Sequence, residues 1–249
     1  MKQTTQKLLL ALYPAPDRTS LVALSAEQLA ACVGELSSSG FRSLLYTAVQ
    51  NEYVSKENIG VQSYYVLTDL GRRMVEAAFP AFSARFESWT GDWSCLVFLE
   101  APVGDPHFRY LRRLVLENGA VGLSRGVYLS AGGFHDRVQS ELETLYAKSV
   151  ALFTIGGWQI GSERPIVIEF LGLDDVAAGY SGISKEIDQL LRENTTRSTL
   201  NNQSKRHNQA LIDRFSTLLQ ADPGFTTRYF PGIDSPLQIL SQLQQLLRL

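Results

Sequence analysis

The sequence predicts an α+β chain in three consecutive zones, 1–88, 89–172 and 173–249, and three observations carry that reading. Apolar residues recur at helical spacing in some stretches. β-branched and aromatic residues cluster in others. Gly, Pro and Ser runs separate the two kinds. The first two zones mix both signals, and the third is mainly helical.

The first zone opens with Leu8, Leu9, Leu10 and Leu12, a helix-like run that ends at Pro14 and Pro16. Ser25, with Gln28 three residues on and Leu29, Ala30 and Val33 behind it, is a capping-box start for a second helix. The turn Ser37-Ser38-Ser39-Gly40 leads to a third helix over 41–51. There Phe41, Leu44, Leu45, Ala48 and Val49 share one face, and Arg42, Ser43, Tyr46, Thr47 and Gln50 share the other. Two short strands follow, 53–55 and 64–67, joined by a polar turn containing Gly60. Thr68 then opens a helix that runs to about Phe79.

Three helices followed by a β-hairpin is the order of a winged helix-turn-helix. In that fold the third helix enters the DNA major groove and the hairpin, or wing, touches the flanking duplex. Arg42, Ser43, Tyr46, Thr47 and Gln50 become the candidate reading residues. Lys56, Asn58, Gln62 and Tyr64 become the candidate wing residues. The zone carries 8 Lys+Arg and 8 Asp+Glu, so no broad positive field draws it to phosphates. A small α+β domain that binds no nucleic acid is the competing reading.

In the second zone, 93–99 is a strand and 108–116 a helix, with Phe108, Leu111, Leu114 and Val115 inward and Arg109, Arg112 and Arg113 outward. Residues 119–123 and 126–130 form a strand pair, 134–146 a helix and 150–155 a strand. The order βαββαβ is ferredoxin-like. In the third zone 165–171 reads as a strand. Helices follow near 183–192, 208–220 and 236–247, with a polar mobile loop or frayed helix end over 193–207.

Composition narrows the function. The 249 residues hold 23 Lys+Arg against 25 Asp+Glu, a net charge of −2, which excludes a DNA-coating protein of histone type. Cys32 and Cys95 are too few for a disulfide scaffold or a zinc site and lie in apolar stretches, as buried thiols do. No stretch approaches the roughly 20 apolar residues that cross a bilayer, and no signal peptide opens the chain. The expectation is a cytoplasmic, non-membrane protein.

Enzyme signals are thin. His107, His135 and His207 are scattered, and no Walker A or G-x-G-x-x-G run occurs. Gly122-Leu-Ser124-Arg-Gly126 matches a nucleophile elbow as a string, but the elbow needs a helix after it and 127–130 reads as a strand. We expect no enzyme, no catalytic residue, no metal and no cofactor.

The strings Trp89-Thr-Gly-Asp-Trp93, Leu111-Arg-Arg-Leu114 and Leu123-Ser-Arg-Gly-Val-Tyr-Leu-Ser130 together resemble the PaaX family. Ser63-Tyr-Tyr-Val-Leu-Thr68 with Gly71-Arg-Arg73 in the first zone matches its winged helix. Asp222-Pro-Gly-Phe225 with Phe230-Pro231 matches its C-terminal part. The likeness spans nearly the whole chain. It implies a homodimeric repressor that binds a double-stranded DNA operator, with a Cas2-like central domain and a helical C-terminal domain. It also implies release from DNA by an acyl- or aryl-CoA effector. The family's reading helix and wing are usually rich in Arg; here they hold Arg42, Lys56 and an opposing Glu57.

Two sites follow from the resemblance. The Arg109, Arg112, Arg113 face suits coenzyme A phosphates, since guanidinium forks match phosphate oxygens; a solvated helix face reads equally well. Trp89, Trp93 and Trp158 line either an aromatic-acyl pocket or the core. Cas2-type domains carry an acidic residue after the first strand, where this chain has Glu100. That supplies the alternative function, a Cas2-like nucleic-acid-processing or scaffolding protein with a metal-dependent nuclease site.

Overall fold

The structure is a computed structural model that describes residues 1–15, 21–34, 36–60, 62–82, 89–100, 104–194 and 202–248. The chain is mixed α+β with two antiparallel sheets, one of three strands and one of four. It divides into two compact units. One joins Met1–Ser83 to Asp175–Leu249; the other is Ala84–Asp174. The first and third sequence zones therefore share one unit and one core.

The first unit starts with α1 (Gln3–Ala11). Leu8, Leu9, Leu10, Ala11, Leu12 and Tyr13 are all buried, as a helix apolar on every side requires. Strand β1 (Ala23–Ser25) follows, then α2 (Ala26–Ala30). The predicted capping box is present: the Gln28 amide N–H donates to Ser25 Oγ at 3.3 Å, and the Ser25 amide N–H donates to Gln28 Oε1 at 2.8 Å. Helix α3 (Ser38–Gln50) is capped by Ser37 and buries Phe41, Leu45 and Ala48. Strands β2 (Val54–Ile59) and β3 (Gln62–Leu67) form a hairpin longer than the sequence indicated, because residues 56–59 and 62–63, read as a polar turn, are strand. β1, unforeseen in the sequence, pairs with β3 and gives the sheet order β1-β3-β2. Thr68 caps α4 (Asp69–Ala78) by accepting from the Gly71 N–H. A 3-10 turn, Pro80–Phe82, follows.

The second unit has β4 (Trp93–Phe98), α5 (Pro106–Glu117), β5 (Val121–Ser124), β6 (Val127–Ala131), α6 (Asp136–Leu145) and β7 (Val150–Ile155). The sheet order is β5-β6-β4-β7, so the first and last strands of the unit sit side by side. Leu96, Phe98, Phe108, Leu111, Val115, Tyr128, Val138 and Leu142 make its core.

The stretch 165–171, read as a strand, is instead the greater part of α7 (Glu163–Leu171). Its Ile166-Val167-Ile168 run favours a strand locally. Helical packing of buried Val167 and contact with β5 override that preference, and Gly172 in the left-handed conformation (φ 60) ends the helix.

Helices α8 (Leu173–Asn194), α9 (Asn202–Ala221), α10 (Thr226–Tyr229) and α11 (Pro236–Arg248) complete the first unit. Val176, Tyr180, Ile183, Leu211, Phe215, Ile239 and Leu243 join the core built on α1. Gln244 Nε2 donates to the carbonyls of Ala11 (3.0 Å) and Tyr13 (2.7 Å), satisfying orphan acceptors at the α1 C-terminus. Lys7 Nζ lies 2.6 Å from Asp213 Oδ1. Part of the predicted polar loop, 195–201, lies outside the described residues. Among the described residues no helix is long and apolar enough to cross a membrane.

Candidate nucleic-acid interface

α3 places its residues as its periodicity dictates. Phe41, Leu45 and Ala48 face the core, and Arg42, Ser43, Tyr46, Thr47 and Gln50 are all exposed. Tyr46 is 67% exposed, unusual for an aromatic ring that serves packing. Arg42 Nε donates to the Ser38 carbonyl at 3.1 Å and Thr47 Oγ1 to the Ser43 carbonyl at 2.8 Å. Ser43 and Thr47 border a groove of about 480 Å³ with Lys2, Thr4, Thr5 and Asn51. Lys2 thus brings a second positive charge to this helix. Nothing in the local sequence signals that, because Lys2 lies in α1's N-cap, far from α3 in the chain.

The β2–β3 hairpin divides the four wing candidates between its faces. Lys56 pairs with Tyr65 and Asn58 with Ser63, whose hydroxyl donates to Asn58 Oδ1 at 2.8 Å. Strand alternation puts Gln62 and Tyr64 on the opposite face with Glu57. The Tyr64 hydroxyl donates to Gln62 Oε1 at 3.2 Å. These two line a pocket of about 310 Å³ with Gln28, Asn208, Leu246 and Arg248. Lys56 and Asn58 are exposed on the other face.

In the second unit the three candidate arginines separate. Arg109 and Arg112 border a groove of about 700 Å³ between α5, the β5–β6 hairpin and α7. Arg113 turns aside, with Nε 3.8 Å from Glu117 Oε1 and its guanidinium 6.0 Å from the Tyr110 ring centre. Its place in the groove is taken by Arg125, in the hairpin turn, whose guanidinium lies over the Phe108 ring at 5.4 Å. Ser124 ends β5 and the chain turns straight into strand β6, so no nucleophile elbow forms there. Trp89 and Trp93 are buried and stack edge to face at 5.1 Å, with Trp89 Nε1 donating to the Asp92 carbonyl at 2.6 Å. They are core rings, not pocket walls. Trp158 is half-buried. Glu100 is exposed after β4. Among the described residues no three His, Cys, Asp or Glu side chains gather to hold a metal. Burial pushes the Cys32 thiol up to about 12 and raises that of Cys95.

No protein-family model matches the chain. No curated protein matches it either. Among solved structures, the uncharacterized protein Rv0674 from Mycobacterium tuberculosis is similar at a TM-score of 0.42 and 16% identity, over 90% of this chain and 89% of that one. A likeness that low carries no functional argument.

Proposed function

We propose that this chain is a dimeric, sequence-specific DNA-binding regulator of transcription, a repressor of PaaX type that an acyl- or aryl-CoA effector releases from its operator. One observation carries the reading: α3 presents Arg42, Ser43, Tyr46, Thr47 and Gln50 to solvent beside an antiparallel hairpin that exposes Lys56 and Asn58. The helix order and the β1-β3-β2 sheet suit a winged helix, in which α3 reads the major groove. The β5-β6-β4-β7 order suits a ferredoxin-like, Cas2-like domain, the part we assign to dimerisation.

Mechanistically, Arg42 supplies a fork for a guanine edge or a phosphate, and Gln50 a bidentate amide for adenine. Tyr46, Ser43 and Thr47 donate hydroxyls to phosphates or base edges. Lys56 and Asn58 meet the flanking backbone. A two-fold dimer sets two α3 helices on half-sites about one or two helical turns apart. An effector that favours a different spacing lowers affinity by shifting the population of dimer states.

A gel shift with fragments from the chain's own genomic neighbourhood tests this. Binding should appear at low salt and fall in Arg42→Ala by about tenfold, the effect of losing one bidentate base contact. Absence of binding to every fragment, or full binding by the Arg42→Ala/Tyr46→Ala/Gln50→Ala triple variant, overturns it. A Mg²⁺-dependent nuclease activity lost in Glu100→Ala would favour the Cas2-like processing function instead.

A further inference from the structure

We propose that the pocket between α2, β3, α9 and α11 binds an uncharged nitrogen heterocycle carrying neighbouring carbonyl and N–H groups, a nucleobase or its nucleoside. The site lies wholly within the first unit and is independent of DNA binding and of any acyl effector.

The first support is a misfit in a helix. On α9, positions 208, 211, 212, 215 and 219 recur at helical spacing on the buried side. Leu211, Ile212, Phe215 and Leu219 are apolar, as a core-facing stripe requires. Asn208 stands on the same stripe and is only 5% exposed. Its side chain lines the pocket and shares no hydrogen bond with any described residue. Buried amides are nearly always paired, because an unpaired one forfeits its hydrogen bonds to water. A Leu there would pack with its neighbours and favour the helix more. Asn208 costs the helix stability that a partner in the pocket returns.

The second support is the set of groups around it. Gln28 Oε1 is taken by the Ser25 N–H at 2.8 Å, and Gln62 Oε1 by the Tyr64 hydroxyl at 3.2 Å. Both glutamines line the pocket, and among the described residues no acceptor takes their amide NH2 groups. Asn208 adds a donor and an acceptor side by side. The occupant that satisfies them has carbonyl or ring-nitrogen acceptors for the glutamines and an N–H beside an acceptor for Asn208. Nucleobase edges have this pattern, and Asn and Gln amides pair with them in two hydrogen bonds at once.

The third support is charge and shape. Glu27 and Arg248, one of each sign, are exposed at the border, so no net charge selects an ion. The volume of about 310 Å³ is at the small end of ligand sites and suits a ring, or a ring with a sugar. Buried Leu246 and Leu247 give the wall an apolar part, and half-buried Tyr64 an aromatic one, the surfaces on which flat bases rest. Because Gln62 and Tyr64 belong to β3, an occupant ties the β2–β3 hairpin to α9 and α11.

Isothermal titration calorimetry of the full chain, without DNA, tests the proposal. The probes are uracil, hypoxanthine, uridine and inosine, with benzoate as a charged ring of similar size that has no N–H. At least one of the four should bind saturably and about tenfold or more tightly than benzoate, the difference one matched pair of hydrogen bonds makes. The best-binding arm identifies the ligand as free base or nucleoside. Asn208→Leu should weaken that binding by about tenfold or more while the thermal midpoint stays the same or rises, because the amide is unpaired in the free chain. Gln62→Met, at an exposed position, should weaken it several-fold. Gln189→Met, exposed on α8 outside the pocket, should leave it unchanged. Bound ligand should slow amide hydrogen exchange along β3 and leave residues 84–174 as they were. No saturable binding by any of the four overturns the proposal. So does benzoate binding as tightly as the best of them, or an Asn208→Leu variant that binds normally. Slowed exchange along β3 with single-stranded DNA but with no free base or nucleoside would also overturn it, in favour of a nucleic-acid surface. Operator binding without binding of any probe sinks this site alone, and probe binding without any operator sinks only the DNA-binding reading.

Discussion

Asp222 is a carboxylate buried to 1% exposure that accepts from the Tyr180 hydroxyl at 3.0 Å, the Thr226 hydroxyl at 2.8 Å and the Gly224 N–H at 2.8 Å. Burial first, and the Asp222 charge second, hold the Tyr180 phenol far above its ordinary value. In the unfolded chain that phenol ionises near pH 10, whereas in the folded chain it keeps its proton. Stability from this raised group is complete below about pH 10 and falls above it by about 1.4 kcal/mol per pH unit. Urea titrations from pH 9 to 11 should show that slope in the wild type and a shallower one in Tyr180→Phe; identical slopes would refute the assignment. Gln244 makes a second residue-scale case. Gln244→Ala leaves the Ala11 and Tyr13 carbonyls without their donor and should cost about 1–3 kcal/mol, read as a lower urea midpoint at constant m. The string around Asp222 was legible in the sequence, but its burial was not, because the Tyr180 partner lies 42 residues away. Arg125 was missed for a related reason. It shares no helical face with Arg109 and Arg112 and joins them only through the hairpin turn.

Elements with a strong local signature were legible. The α2 capping box, the two-faced α3 and the Thr68 cap of α4 all rest on contacts within four residues. β1 was not, because a three-residue strand exists only where β3 offers it an edge. α7 was misread because three β-branched residues outweigh its helix signal until β5 supplies a packing surface. The hairpin base gives an element-scale prediction. Thr68 Oγ1 donates to the Glu52 carbonyl at 2.6 Å, tying α4 to the segment that leads into β2. A Cβ on Gly71 would sit 2.1 Å from the Tyr53 carbonyl oxygen and 2.7 Å from a Leu67 methyl. The glycine is there for close approach between α4 and the hairpin. Gly71→Ala should therefore destabilise the first unit by about 1–3 kcal/mol or more, as overpacking does. Because the hairpin base must shift, amide chemical shifts should move most along β2 and β3. A variant as stable as wild type, with those shifts unmoved, would show that α4 yields instead.

At the scale of the whole molecule, chain order and core membership part ways. The sequence divides into three zones, but α1 carries five consecutive buried residues, Lys7 to Ala11, more than one helix face can offer to the zone's own sheet. α1 contacts α9, and both α9 and α11 contact the Pro80–Phe82 turn. The same core runs from Leu8 through Phe82 to Leu247. Each buried Leu contributes roughly 1.5–3 kcal/mol relative to exposure, comparable in sum to the entire stability of a small domain. A fragment of residues 1–83 would expose much of that surface and leave the α1 carbonyls without Gln244. It should lack a cooperative urea transition and sharp near-ultraviolet dichroism, and co-expression with residues 175–249 should restore both. Residues 84–174 have a core of their own and should unfold cooperatively in isolation. The contrast between the fragments is the discriminating result. If 1–83 unfolds as sharply as 84–174, α1 owes its burial to its own zone, and the C-terminal helices are a covering rather than part of the first unit's core.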